Sequence, residues 1–213
     1  MSSKAVSSKA ASYSCFISDL HLAPARPEIT RALSTFLSRH PDCDALYVLG
    51  DLFETWVGDD DNDALANEVR QILRDFSQAG PDVHIVQGNR DFLIAQRFCT
   101  DTGAKLLAEG GVIDIYGTPT LLLHGDTLCT DDADYQALRL ELRQPHWQSQ
   151  FLGQPLAARR EQAAQLRNLS QAALVRKKEA ITDVSNKAVD LAMAEQGVTR
   201  LTHGHTHRPG RHT

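Results

Sequence analysis

No run of about twenty apolar residues occurs anywhere in the chain, so nothing in it is long enough to cross a bilayer as a helix. The four cysteines, Cys15, Cys43, Cys99 and Cys129, form no Cys-x-x-Cys pair, and a chain of this size needs no disulfide staples. Reduced thiols in a cytosolic setting are expected. Residues 1–12 are rich in Ser, Ala and Lys and lack the apolar core of a signal peptide, so a disordered leader is expected there. Internal repeats and low-complexity tracts are missing. So is any excess of positive charge: 22 basic against 27 acidic side chains leave a net −5. That balance argues against a bulk electrostatic grip on nucleic acid. Neither a nucleic-acid partner nor an obligate protein partner is implied.

What is present is ordinary globular composition, 42% apolar and 23% charged over 213 residues, enough for one domain with a sizeable core, expected over 13–213. Short apolar runs at 13–18, 45–49, 83–86, 112–116, 120–123 and 199–202 read as strands. Helical spacing of apolar residues marks 28–39, 63–79 and about 92–101. Strand and helix alternate through this part, which predicts an α/β fold. From 132 to about 196 the pattern turns mostly helical, with helices over 157–180 and 183–196. The charges at Arg159, Arg160, Arg167, Arg176, Lys177 and Lys178 read as a solvated helix face.

Five segments share one layout, an apolar strand followed by metal-ligand residue types: Asp19-Leu20-His21, Gly50-Asp51, Gly88-Asn89-Arg90-Asp91, His124-Gly125-Asp126 and His203-Gly204-His205. In an open α/β sheet the carboxyl ends of strands are where ligands bind, so segments far apart in sequence are delivered to one edge. Asp19, His21, Asp51, Asn89, His124, His203 and His205 offer oxygen and nitrogen donors without thiolate, suited to Mn²⁺, Fe²⁺ or Zn²⁺. They are too many for one ion and about right for two sharing a carboxylate. The Asp19/His21 and His203/His205 pairs are expected on one side of extended backbone by the two-residue period. Glycines beside the donors are expected to let the backbone approach closely. A two-metal site that activates water and clamps a phosphoryl group is the chemistry this donor set implies. With two ions already filled, His207 is expected to be structural or to support the ligands. Asp59, Asp60 and Asp61 read as a solvated turn capping the helix at Asp63, Trp56 and Trp147 as packing anchors, and Cys129 as an inert thiol.

The strings D-x-H, GD, GNRD, HGD and GHTH, in this order, resemble the calcineurin-like metallophosphoesterases. Longer segments narrow the resemblance: ISDLHL (17–22), ALYVLGDLFETWVGDDD (45–61), GNRDFL (88–93), LLHGDTLCTDDADYQ (122–136) and HGHTHRP (203–209) are similar to the branch that acts on UDP-2,3-diacylglucosamine in the lipid A pathway of Gram-negative bacteria. The resemblance implies a four-layer αββα sandwich with a helical lid inserted at about 132–180, its inner face apolar for two acyl chains. Two Mn²⁺ are implied, one held by Asp19, His21, Asp51 and His205, the other by Asp51, Asn89, His124 and His203. Asn89, Arg90 and His124 are then the catalytic candidates. Asn89, Arg90, Asp132, Ser170, Lys177 and His203 are the substrate-binding ones, and Leu174 stands where relatives carry a polar residue. The implied reaction is attack of a metal-activated water on the α-phosphorus, giving UMP and 2,3-diacylglucosamine 1-phosphate, by a protein lying peripherally on the cytoplasmic face of the inner membrane. Relatives continue with further strands, so a chain stopping at Thr213 is expected to be a fragment. Two alternatives stay open, another phosphatase or nuclease of the family and a non-catalytic scaffold.

Overall fold

A computed structural model of the chain describes residues 12–174 and 183–211, with side chains of 171–174 set aside. The expected leader, apart from Ser12, and Lys177 therefore lie outside the described residues. Two sheets form. The first, in the order β1 (Ser14–Ile17), β2 (Ala45–Leu49), β3 (Asp82–Val86), β4 (Lys105–Leu106), is all parallel. The second, β5 (Gly111–Ile115), β6 (Thr118–Leu122), β7 (Leu201–Thr202), pairs β5 with β6 antiparallel and β6 with β7 parallel.

β2 is buried at every position because both its faces are covered, which is why it reads as an unbroken apolar run. Its even residues, Leu46 and Val48, lie beside Val83 and Ile85 of β3. They pack on α1 (Pro27–Ser38), α2 (Ala64–Gln78) and α3 (Gln96–Thr102) through Leu33, Leu37, Val69, Leu73 and Phe98. Its odd residues, Ala45, Tyr47 and Leu49, meet Leu122 and Ile113 of the second sheet. The far face of that sheet, Leu121 and Leu123, packs on α7 (Asn186–Gln196) through Ala188, Val189, Ala192 and Met193. Helix, sheet, sheet, helix is the four-layer sandwich expected.

The helices start and stop where local chemistry directs. Pro27 opens α1, and Asp63 caps α2 by accepting from the Ala66 amide at 2.7 Å. α3 begins four residues later than the spacing predicts. Ile94 N donates to Asp91 O in a turn, and the Ala95 and Phe98 amides are taken by the Asp59 carboxylate. The two-residue β4 has no sequence pattern of its own. The helical stretch after 132 divides: α4 (Ala133–Leu142), α5 (Pro145–Leu152) and α6 (Leu156–Leu174) form the insertion, whereas α7 is the fourth layer of the sandwich. Among the described residues no helix is long and apolar enough to cross a membrane.

Candidate metal centre

The backbone leaving β1 and β2 keeps running in parallel beyond the sheet. Asp19 N donates to Gly50 O, His21 N to Asp51 O and Leu22 N to Leu52 O, at 2.9–3.1 Å. The paired donors do not sit on extended backbone. Asp19, His21, Asp51, His205 and His207 all adopt left-handed φ, between 48° and 72°. Each donor is thus aimed by a turn and not by strand alternation, which corrects the two-residue argument. Asp and His tolerate this conformation better than most side chains.

One buried carboxylate holds these turns. Asp91 is fully buried and accepts from the amides of Gly88 (2.8 Å) and Asp51 (3.2 Å) on one oxygen, and of Leu52 (2.7 Å) and Phe53 (3.4 Å) on the other. It ties the Gly-Asp loop to the Gly-Asn-Arg-Asp loop. Gly88 lies so close that a Cβ there would fall 2.2 Å from Asp51 Oδ1.

The side chains form two adjoining groups. Around Asn89, its Oδ1 lies 2.9 Å from His124 Nε2 and 2.9 Å from His205 Nδ1, and those two ring nitrogens are 3.2 Å apart. Around Asp19, its Oδ1 lies 3.5 Å from His207 Nε2, which is 3.1 Å from His21 Nε2. Asp51 stands between the groups, 3.6 Å from His124 Nε2 through Oδ1 and 3.7 Å from His21 Nε2 through Oδ2.

This geometry revises the histidine assignment. His205 joins Asn89 and His124, the place expected for His203, and His207 joins Asp19 and His21, the place expected for His205. The His203 ring instead lies with Nδ1 2.8 Å from Gly204 O, away from both groups. The run His203-Gly204-His205-Thr206-His207 contains two overlapping His-x-His pairs, and spacing alone does not choose between them. The GHTH string, Gly204 to His207, contains the pair that this geometry brings to the two groups.

The donor set fits divalent cations. Asp19 Oδ1 is buried with no hydrogen-bond partner, and facing ring nitrogens and carboxylate oxygens converge with few protons to share. Burial pushes the Asp51 carboxyl up to about 7, partly opposed by His124. Burial pulls His21 and His205 down to about 4, so both rings are neutral lone-pair donors at neutral pH. Burial also pulls on His124, but Asp51 and Asp126 outweigh it and its pKa is raised. His124 Nδ1 lies 2.9 Å from Leu49 O, a contact that leaves Nε2 as the donor to the cluster. Being fully buried and outside the cavity lining, His124 suits ligation and not contact with substrate.

A cavity of about 770 Å³ opens beside the cluster, lined by His21, Asp51, Asn89, Arg90, His205 and His207 at one end. Trp56, Phe92, Leu138, Leu142, Trp147 and Phe151 form an apolar wall, and α6 contributes Ala163, Leu166, Arg167 and Ser170. Both tryptophans line this cavity while packing, Trp147 stacking on Phe151 at 5.0 Å. Asp132 also lines it and caps α4, accepting from the Tyr135 amide at 3.1 Å. Cys129 is buried, and burial pushes its thiol up to about 12, which fits an inert group.

Sequence reasoning gave no role to three further groups. Asp91 is the keystone described above. Asp126, fully buried, accepts from Tyr135 Oη at 2.6 Å and Arg139 Nε at 2.8 Å and so holds α4 against the site, where the Tyr135 ring faces His205 at 6.0 Å. Glu54 lies 3.9 Å from His21 Nδ1 and pairs with Arg26 at 2.7 Å and with Arg167 of α6 at 3.0 Å.

The family model for Calcineurin-like phosphoesterase matches residues 15–209. A UDP-2,3-diacylglucosamine hydrolase of Cellvibrio japonicus is 54% identical over 198 residues, 92% of this chain and 82% of that protein. Proteins of the same name from Hahella chejuensis and Xanthomonas campestris are each 48% identical, covering 92% and 93% of this chain and 81% and 83% of their own length.

Proposed function

The chain belongs to the calcineurin-like phosphoesterases, and from that premise we propose that it hydrolyses the pyrophosphate bond of UDP-2,3-diacylglucosamine, releasing UMP and 2,3-diacylglucosamine 1-phosphate. The observation that carries this reading is the junction of a dense donor cluster with an apolar cavity roofed by the inserted helices. A phosphatase acting on soluble nucleotides or phosphoproteins has no use for a wall of Trp, Phe and Leu beside its metals. A substrate with two acyl chains does.

Asp19, His21, Asp51 and His207 would hold one divalent cation, and Asp51, Asn89, His124 and His205 the other, with Asp51 shared; Mn²⁺ is the expected metal. Bound there, the pair supplies positive charge to phosphoryl oxygens and lowers the pKa of a water. Arg90 and Asn89 border the cavity next to the cluster, where a guanidinium and an amide hold phosphate oxygens in line. Asp132 and Ser170 face the same space and are the sugar-side contacts; Lys177 belongs to this expected set. The departing sugar phosphate is a weak base, so the site needs no dedicated acid. A lipid-linked substrate calls for peripheral association, and the cytoplasmic face of the inner membrane is the location this reading assigns.

The test is UMP release from UDP-2,3-diacylglucosamine by the purified chain in Mn²⁺, with and without EDTA, beside the generic diester bis-p-nitrophenyl phosphate. Metal-dependent UMP release far above the generic rate is expected. Hydrolysis of the generic diester alone overturns the substrate and leaves the metal site standing.

A further inference from the structure

The aspartate triplet in the WVGDDD segment sits in the expected turn with Asp60 exposed, but each of its carboxylates has a partner of its own. Asp59 accepts from Trp56 Nε1 at 3.1 Å and from the Ala95 and Phe98 amides, joining the cavity wall to the start of α3. Asp60 takes a two-pronged contact from the Arg159 guanidinium, which also donates to Val57 O at 2.6 Å and to Gln154 O at 3.1 Å. Asp61 pairs with Arg160. Arg159 is only 2% exposed, so it is a plug in the body of the protein and not part of a solvated face, whereas Arg160 stays exposed and reaches Asp61 from the surface. Gly58, at φ +131°, makes room, because a Cβ there would fall 2.6 Å from Arg159 Nη1.

The same face of α6 that starts at Arg159 and Arg160 goes on to line the cavity at Ala163, Leu166, Arg167 and Ser170, the spacing of one helix face. A helix is stiff and rises about 1.5 Å per residue, so the seat at Arg159 fixes where Ser170 sits roughly 16.5 Å along the axis. We propose that Asp60 and Asp61 are positioning residues for substrate selection. Through Arg159 and Arg160 they set the height of α6 over the cavity, and with it the acceptance of the acyl chains, while touching neither substrate nor metal. The planar fork of Arg159 suits this task, because a bidentate contact fixes direction as well as distance. This inference rests on the diacylated substrate of the proposed function.

The experiment compares the full chain with Asp60→Asn, Asp61→Asn, Asp60→Glu, Arg159→Met and the Asp60→Asn/Arg159→Met pair. Each is assayed on UDP-2,3-diacylglucosamine and on bis-p-nitrophenyl phosphate in saturating Mn²⁺, with a thermal melt alongside. For Asp60→Asn, KM for the lipid substrate should rise roughly tenfold with kcat little changed, while diester turnover stays within about twofold. Asp60→Glu should recover part of the loss, and the double variant should be no worse than Arg159→Met alone, because the two act through each other. An unchanged lipid KM in folded Asp60→Asn and Asp61→Asn overturns the proposal, as does a parallel loss on both substrates. A wild-type chain that turns over only the diester instead brings down the substrate reading, and the selection role with it.

Discussion

Removing the His207 ring should be far more damaging than removing the His203 ring, although the two differ by only four positions in one short segment. His207 Nε2 lies 3.1 Å from His21 Nε2 and 3.5 Å from Asp19 Oδ1, inside the donor group. His203 Nδ1 is turned to Gly204 O at 2.8 Å and reaches neither group. Groups that only support a metal ligand typically change affinity by about 10–100-fold, so loss of a direct donor should meet or exceed roughly 100-fold. A side chain outside the cluster should stay within about threefold, the size of an ordinary surface substitution. The assay is calorimetric titration of Mn²⁺ into the EDTA-stripped chain for His207→Ala and His203→Ala, followed by UMP release at a fixed, limiting Mn²⁺ concentration. Melting curves of both metal-free variants should overlay the parent, since the His207 side chain is 58% exposed. Equal losses in the two variants, or parent-like affinity in His207→Ala, would refute the assignment of His205 and His207 as the ligating pair.

Asp91→Ala should lower stability by roughly 3–5 kcal/mol in a urea melt without metal, because four amide hydrogens lose a buried charged acceptor; an unmoved midpoint would deny it the keystone role. Gly88→Ala should weaken Mn²⁺ binding by about 10–100-fold with little change in melting, since a Cβ 2.2 Å from Asp51 Oδ1 must push that carboxylate aside. Unaltered titration would mean the loop yields freely. Trp147→Ala removes the ring stacked on Phe151 and tilted against Phe92 at 6.2 Å. KM for the diacyl substrate should rise by roughly 10–200-fold with bis-p-nitrophenyl phosphate unaffected, and a parallel fall on both substrates would count against an acyl wall.

Much of this architecture is legible where one local signal has one reading. The apolar run at 45–49 can only be a strand covered on both faces, and the periodicity from Asp63 onward, stopped by Gly80-Pro81, admits only a helix. The sandwich and the convergence of four of the five ligand segments follow from that alternation. Legibility ends where a local pattern supports two outcomes. A buried Arg159 and an exposed one look alike in a helix rich in Arg and Gln, and only the arrival of Asp60 from 99 residues away in the chain decides. Asp59, Asp60 and Asp61 are three identical letters with three different partners, the α3 amides, Arg159 and Arg160. The histidine run repeats at two residues, so period alone leaves the ligating pair open by one step. The resemblance was carried onto His203 and His205, one step short of the pair that meets the two groups.

The turns at the site also explain why these residue types serve twice. Among the described residues six non-glycine positions have left-handed φ, and five of them, Asp19, His21, Asp51, His205 and His207, are candidate ligands. Such a conformation costs on the order of 1 kcal/mol even for the polar residues that bear it best, so the cluster carries several kcal/mol of local strain. Strain of that size persists only if the surroundings over-determine it. The surroundings are visible: parallel backbone bonds from Asp19, His21 and Leu22 to the β2 extension, the four amides on Asp91, and the Gly204 amide on His124 O at 2.7 Å. Relaxing any one turn into ordinary extended backbone would swing its donor away from the others. The sandwich thus aims these donors through its backbone, and holding each turn is what keeps them together.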